Sequence, residues 1–199
     1  MFSAASRFLF YDGLSVLLLS LSLSLRALLA GEQLSGAVLT GFFCAMLWPL
    51  SREFLLKGSS LQVWLTSPLH ISIMAGVFLA LILARLPQSE KILSWLRVLS
   101  QALLCCFGFL CAQVYVSYET ALLMALFLAI IPEFCCDIAL GDMASFIHES
   151  YYILRAILGA MLTCLIYVYY PEDLSWPKDV VALSLGVLVP LSLQFFKPK

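Results

Sequence analysis

Apolar residues run through this chain in seven stretches, separated by short polar turns: Phe8 to Ala30, Leu34 to Leu50, Pro68 to Leu86, Ile92 to Val116, Ala121 to Ile138, Tyr151 to Tyr170 and Val180 to Phe196. A helix needs about 20 mostly apolar residues to cross a bilayer. The pattern therefore predicts an all-α membrane protein of seven transmembrane helices in a single domain, 1–199. Pro87-Gln88-Ser89-Glu90-Lys91 reads as a loop and divides the chain into 8–86 and 92–170, with 180–196 left over as a seventh helix. Each half holds three spans. Because three is odd, the second half enters the membrane from the opposite side, which predicts two inverted three-helix repeats plus a C-terminal helix.

Two of the stretches are interrupted in matching places. Leu47 to Gly58 reads LWPLSREFLLKG, and Ile131 to Asp142 reads IPEFCCDIALGD, 84 positions later. In each, an apolar run meets a proline and then an acid. Proline removes a backbone donor and frees the carbonyl one turn earlier, so a kink or opening is expected at Pro49 and at Pro132. In lipid, such freed groups must face protein or a water-filled cavity. Two breaks facing each other would line a path with carbonyl oxygens, hydroxyls and acids, ligands that suit a monovalent cation.

Composition sharpens the class. The 199 residues are 63% apolar and 12% charged, with a mean hydropathy of +1.02, where a soluble domain carries about a quarter charged residues. The formal net charge of −1 gives no basic field for nucleic acid. Arg7 followed by an apolar run ending Ala-Leu-Leu-Ala-Gly resembles a cleaved signal peptide, but Asp12 and the length of the run argue for a retained span. Seven cysteines lie in apolar runs without metal-ligand spacing and read as small packing residues. Counting Lys and Arg puts Arg7, Arg52, Lys57 and Lys178 on the N-terminal side, and Arg26, Arg85, Lys91, Arg97, Arg155, Lys197 and Lys199 on the other. The excess places the N-terminus outside and the C-terminus in the cytoplasm.

Charge at membrane depth is costly and points to function by default. Glu53, Glu133 and Asp137 are the acids nearest the interruptions. Arg52 and Glu53 read equally well as an interfacial, solvated pair, whereas Glu133 has apolar residues on both sides and is expected to face a polar cavity or a partner helix. Ala156, Gly159, Ala160 and Thr163 form a stripe of small residues suited to close helix packing, within the chain or between chains. His70 and His148, close to span ends, read as interfacial. No paired-aspartate protease pattern is complete, since Ala139 stands where G-x-G-D needs glycine and Asp12 reads as close to a chain-end interface. No G-x-S-x-G or H-E-x-x-H occurs either. Enzyme activity and a resident cofactor or metal are not expected.

The run Leu25 to Gly58, LRALLAGEQLSGAVLTGFFCAMLWPLSREFLLKG, resembles the first repeat of the prokaryotic TRIC (trimeric intracellular cation) channel family. The run from Met124 through Tyr170 is similar to the family's second repeat, including Arg-Ala-x-Leu-Gly-Ala in the sixth span. The resemblance covers roughly residues 10 to 170. It implies a homotrimer in the prokaryotic inner membrane, with one pore per protomer between kinked helices two and five, passing K+ or Na+. The family's first Arg-Asp falls on Arg52-Glu53 and its second on Cys136-Asp137. Its glycine triplets are replaced by Leu47-Trp48-Pro49 and Ile131-Pro132-Glu133, and Trp48 leaves none of the room that glycine leaves an ion. The expected pore and gating residues are thus Trp48, Pro49, Arg52, Glu53, Pro132, Glu133, Cys136 and Asp137. Two other functions fit the same residues: a secondary transporter for a small neutral solute such as glycine, or a non-conducting membrane scaffold.

Overall fold

The computed structural model describes residues 4–57, 69–141, 150–170 and 177–193. These form seven α-helices: α1 (Ala4–Leu29), α2 (Leu34–Arg52), α3 (Leu69–Leu83), α4 (Ser89–Ala112), α5 (Tyr118–Ala139), α6 (Ser150–Tyr169) and α7 (Lys178–Ser192). A five-residue π-helical turn, Glu53–Lys57, continues α2. Four helices are long and apolar enough to cross a bilayer, namely α1, α2, α4 and α5; α3 and the apolar part of α6 are shorter. The outer faces are apolar too, with Phe43, Ile71, Phe78, Leu123 and Phe127 all exposed. A soluble protein avoids such a surface, and a bilayer requires it. The chain is an integral membrane protein.

The two first helices of the sequence halves form the centre. α1 packs on α2, α3 and α4, and α4 packs on α1, α5, α6 and α7; α2 and α5 also touch each other. From Ser100 to Ala112 every residue of α4 is buried, so this helix has no lipid-facing side. The scattered serines of α1 are explained by close packing on more than one side. Ser20 sits against Gly76 of α3 and Ser24 against Gly41 of α2, so closely that a Cβ at either glycine would overlap the serine hydroxyl. A hydroxymethyl group facing a bare backbone lets two helices approach as small residues do generally in membranes. Gly31 (φ +91°) and Gly141 (φ +67°) take left-handed conformations at the ends of α1 and α5, where a side chain would be strained.

Gly159 and Thr163 of the small-residue stripe of α6 pack on α7. Gly159, Ala160 and Thr163 are buried, and the Thr163 hydroxyl donates to the Ala182 carbonyl of α7 at 3.3 Å. A Cβ on Gly159 would stand 2.5 Å from the Gly186 carbonyl oxygen, a backbone atom that cannot swing aside. Gly159→Leu is expected to cost about 1–3 kcal/mol through overpacking and to lower the unfolding temperature in detergent. An unchanged melting curve would show that α6 and α7 pack less closely than this. The side chains of Arg155 and Ala156 lie outside the described residues, as do Pro68, Asp142, His148, Glu149 and the 171–176 loop.

Both prolines lie inside continuous helices rather than at an opening. α2 runs through Pro49 to Arg52 and on into the π-helical turn, and α5 runs through Pro132 to Ala139. Neither helix is interrupted. The carbonyls one turn before them belong to Ala45 and Leu128, each wholly buried. They therefore face protein rather than lipid, which is the condition under which a membrane helix tolerates proline. Ser51 to Lys57 is correspondingly helical rather than a connection.

Candidate functional site

Charged side chains gather in two places inside the bundle. At the first, Asp12 of α1 accepts a hydrogen bond from Arg52 Nη1 at the end of α2, 2.5 Å away, and Arg52 Nη2 donates to Glu53 Oε1 at 3.0 Å. Asp12 and Arg52 are only 4% and 7% exposed. The Cys111 thiol of α4 lies within electrostatic range of the same guanidinium. Neither residue is at a solvated interface. Asp12 stands eight residues into α1, about 12 Å along the helix, so it is deep in the bundle and not at a chain end.

At the second, Arg26 near the end of α1 forms ion pairs with Asp137 and with Glu133 of α5, the latter at 3.4 Å. Arg97 of α4 reaches the same Glu133 Oε2, also at 3.4 Å. Glu133 and Asp137 are one turn apart on α5, which places both on one face. All four side chains are buried. Two positive and two negative charges compensate one another, which is what makes burial tolerable, because an uncompensated ion in low dielectric costs several kcal/mol. Glu133 Oε1 has no hydrogen-bond partner among the described residues.

The two clusters share a register. Asp12 and Arg97, Arg52 and Asp137, and Arg26 and Cys111 are each 85 residues apart, one more than the spacing of the interrupted runs. In each cluster the first helix of one half meets the second helix of that half, and a residue of the other half's first helix completes it. The charges are reversed: acid on α1 and base on α2 in one, base on α4 and acids on α5 in the other.

α1 carries a member of both clusters. Asp12, Ser15, Leu19, Ser22 and Arg26 follow one another at steps of three and four residues, so they form a single buried stripe. Asp12 and Arg26 stand about 21 Å apart along it. Other helices supply apolar side chains to the same core. Trp48 of α2, fully buried, lies with its ring against Gly108 of α4, which in turn packs on Ala125 of α5. Leu104, Leu128 and Ala129 belong to the same core, as do Cys44 and Cys136. The Trp48 Nε1–H finds no acceptor among the described residues, so this ring is placed for bulk rather than for a hydrogen bond.

Of the residues expected from sequence, the structure brings Glu133, Asp137 and Cys136 together on α5, and Arg52 and Glu53 together on α2. It buries Trp48, Pro49 and Pro132 in the packed interior. Asp12, Arg26 and Arg97 were not among the expected site residues. Their signal is charge inside a membrane-length apolar run, which all three display.

No family model matches the sequence, and no curated protein matches it. Solved structures do. One is described as the TRIC trimeric intracellular cation channel orthologue from Rhodobacter sphaeroides: TM-score 0.78 and 19% identity, over 97% of this chain and all of that one. The chain has the TRIC fold. A second is a prokaryotic TRIC channel crystallised in 0.5 M KCl, with a TM-score of 0.79 and 16% identity over 98% of this chain and the whole of that one. Near-complete coverage in both directions means that the buried clusters, Trp48 and the helices bearing them all lie within the shared TRIC fold.

Proposed function

We propose that this chain is a divergent TRIC-type channel for monovalent cations, K+ or Na+, working as a homotrimer with one pore per protomer between α2 and α5. The observation that carries the reading is the TRIC fold over the whole chain, joined to buried charge clusters that involve both α2 and α5. The 85-residue register supports an inverted repeat as the origin of that arrangement. In this reading Glu133 and Asp137 draw cations when their arginine partners release them, Arg52 sets the field at the other cluster, and Trp48 narrows the path. Pro49 and Pro132 shape the two pore helices, while Glu53 and Cys136 flank the clusters. The excess of Lys and Arg places the N-terminus outside a prokaryotic inner membrane and the C-terminus in the cytoplasm.

K+ flux into liposomes containing the purified protein tests the channel. Flux no greater than that of empty liposomes at every voltage and pH would overturn it. Glu133→Gln is expected to reduce both conductance and preference for cations over anions, because it removes one of two cluster acids while leaving Arg26 and Arg97 in place; equal conductance and preference would remove Glu133 from the path. One observation favours a second reading, a non-conducting scaffold of the same fold: Trp48 packs where the family resemblance places glycine. A solute transporter would differ from both by flux that saturates with glycine and needs a coupling ion.

A further inference from the structure

The guanidinium that pairs with both acids of the four-charge cluster comes from a helix that is not packed closely against theirs. α1 packs on α2, α3 and α4 but not closely on α5, yet the Arg26 side chain crosses that space to reach Glu133 and Asp137. Glu133 Oε1 and Asp137 Oδ2 are buried and have no hydrogen-bond partner among the described residues. Ser22 stands one turn before Arg26 on the same stripe, wholly buried, and its hydroxyl also lacks a partner among them. A helical side chain leans back over the turn before it, so Arg26 covers the turn that holds Ser22. Arg97 differs in its place. It stands eight residues into α4, just before the stretch that is buried on every side. Arg26 lies in the last turn of α1, where a long side chain can carry its charge out to the headgroups instead. The carbonyls of that helix end favour a cation there too.

We propose that Glu133 and Asp137 form a binding site for a small monovalent cation, and that Arg26 is its tethered occupant, competing with the free ion. With Arg26 in place, the four charges of the cluster sum to zero. With Arg26 swung outward, Glu133, Asp137 and Arg97 leave a single negative charge. One monovalent cation neutralises it; a divalent one overshoots. The free ion and Arg26 together would leave an excess positive charge out of water, so occupancy is exclusive. The donors suit the ligand, being carboxylate oxygens from α5 with the Ser22 hydroxyl on the facing side of α1. Because α1 does not close against α5, withdrawal of the guanidinium leaves room where it lay. The effect on flux rests on the channel reading; the binding does not.

The test titrates the full-length protein with KCl in place of choline chloride, at constant ionic strength, and follows its unfolding temperature in detergent. In Arg26→Ala the temperature is expected to rise and saturate, at a K+ concentration at least tenfold below that for the parent. Arg26→Lys, which keeps the tethered charge, should behave like the parent, and adding Asp137→Asn to Arg26→Ala should abolish the rise. Adding Ser22→Ala instead should raise the half-saturating concentration severalfold. Arg26→Met retains the bulk of the stem and carries the same titration if alanine prevents folding. The parent supplies a readout that needs no variant: phenylglyoxal labelling of Arg26, mapped by peptide mass, should increase with KCl and not with choline chloride. Equal half-saturation in parent and Arg26→Ala, or labelling indifferent to K+, overturns the tethered occupant. A folded Arg26→Ala without saturable stabilisation, or a rise that survives Asp137→Asn, overturns the site. In liposomes Arg26→Ala is expected to pass K+ faster than the parent. K+ binding without flux in either protein overturns the channel reading alone, and flux without K+ binding overturns the site alone.

Discussion

Replacing Trp48 with glycine is expected to raise K+ flux through reconstituted protein by roughly tenfold or more, since lowering a barrier by about 1.4 kcal/mol is enough for that factor. The indole is fully buried and abuts Gly108 of α4, a residue with no side chain to take its place. Glycine leaves a space on α2 where the ring meets Gly108. The same change weakens the fold, because removing a buried aromatic costs about 3–5 kcal/mol. Flux must therefore be compared in protein shown to be folded, by a melting curve taken on the same preparation. Trp48→Phe serves as the companion, retaining most of the bulk and none of the N–H. Since the Trp48 N–H has no acceptor among the described residues, phenylalanine should leave flux at the parent's level. If glycine and phenylalanine variants both conduct like the parent, bulk at position 48 does not control passage.

The second large effect concerns the four-charge cluster. Asp137→Ala takes from the buried Arg26 its closer carboxylate and leaves one acid, Glu133 at 3.4 Å, to answer both Arg26 and Arg97 in the cluster. Breaking one side of a buried pair typically costs about 3–5 kcal/mol, because the surviving charge stays out of water without compensation. Removing both members is expected to be far milder: Arg26→Leu with Asp137→Leu returns the cluster to neutrality, with Arg97 and Glu133 still paired. Unfolding measured for the parent, both single variants and the double variant yields the coupling directly. Additive losses would mean that Arg26 and Asp137 do not depend on each other, and the cluster would then be a coincidence of packing.

Much of the fold can be read in the apolar pattern, because a membrane-spanning helix must satisfy its backbone internally and so declares itself by length. The pairing of Glu133 with Asp137 on one face could be read too, since one helical turn separates them. The arginine partners could not. Arg26 and Asp137 are 111 residues apart, and no periodicity connects a guanidinium at the end of one helix to a carboxylate four helices later. Asp12 was hidden for a related reason. It stands close to the start of the chain, yet α1 begins early enough to bury it. The prolines are a different case. They mark where a donor is missing, but whether the helix opens depends on what surrounds the freed carbonyl, and Ala45 and Leu128 are enclosed by other helices.

The charges on α1 also bear on how the protein is made. This helix leaves the ribosome before the other six, bearing a carboxylate and a guanidinium on one stripe, and neither is welcome in lipid. The partner of Asp12 arrives 40 residues later, with the end of α2, but Asp137 follows Arg26 by 111. Between those moments Arg26 must stay near lipid headgroups or within the insertion machinery. α1 can therefore settle to its final depth only after α5 has been threaded. A chain stopped at the loop before α4 would insert its first three helices with Arg26 lacking both Glu133 and Asp137, and would be a natural target for membrane quality control. Of the seven helices, the earliest made is among the last to come to rest.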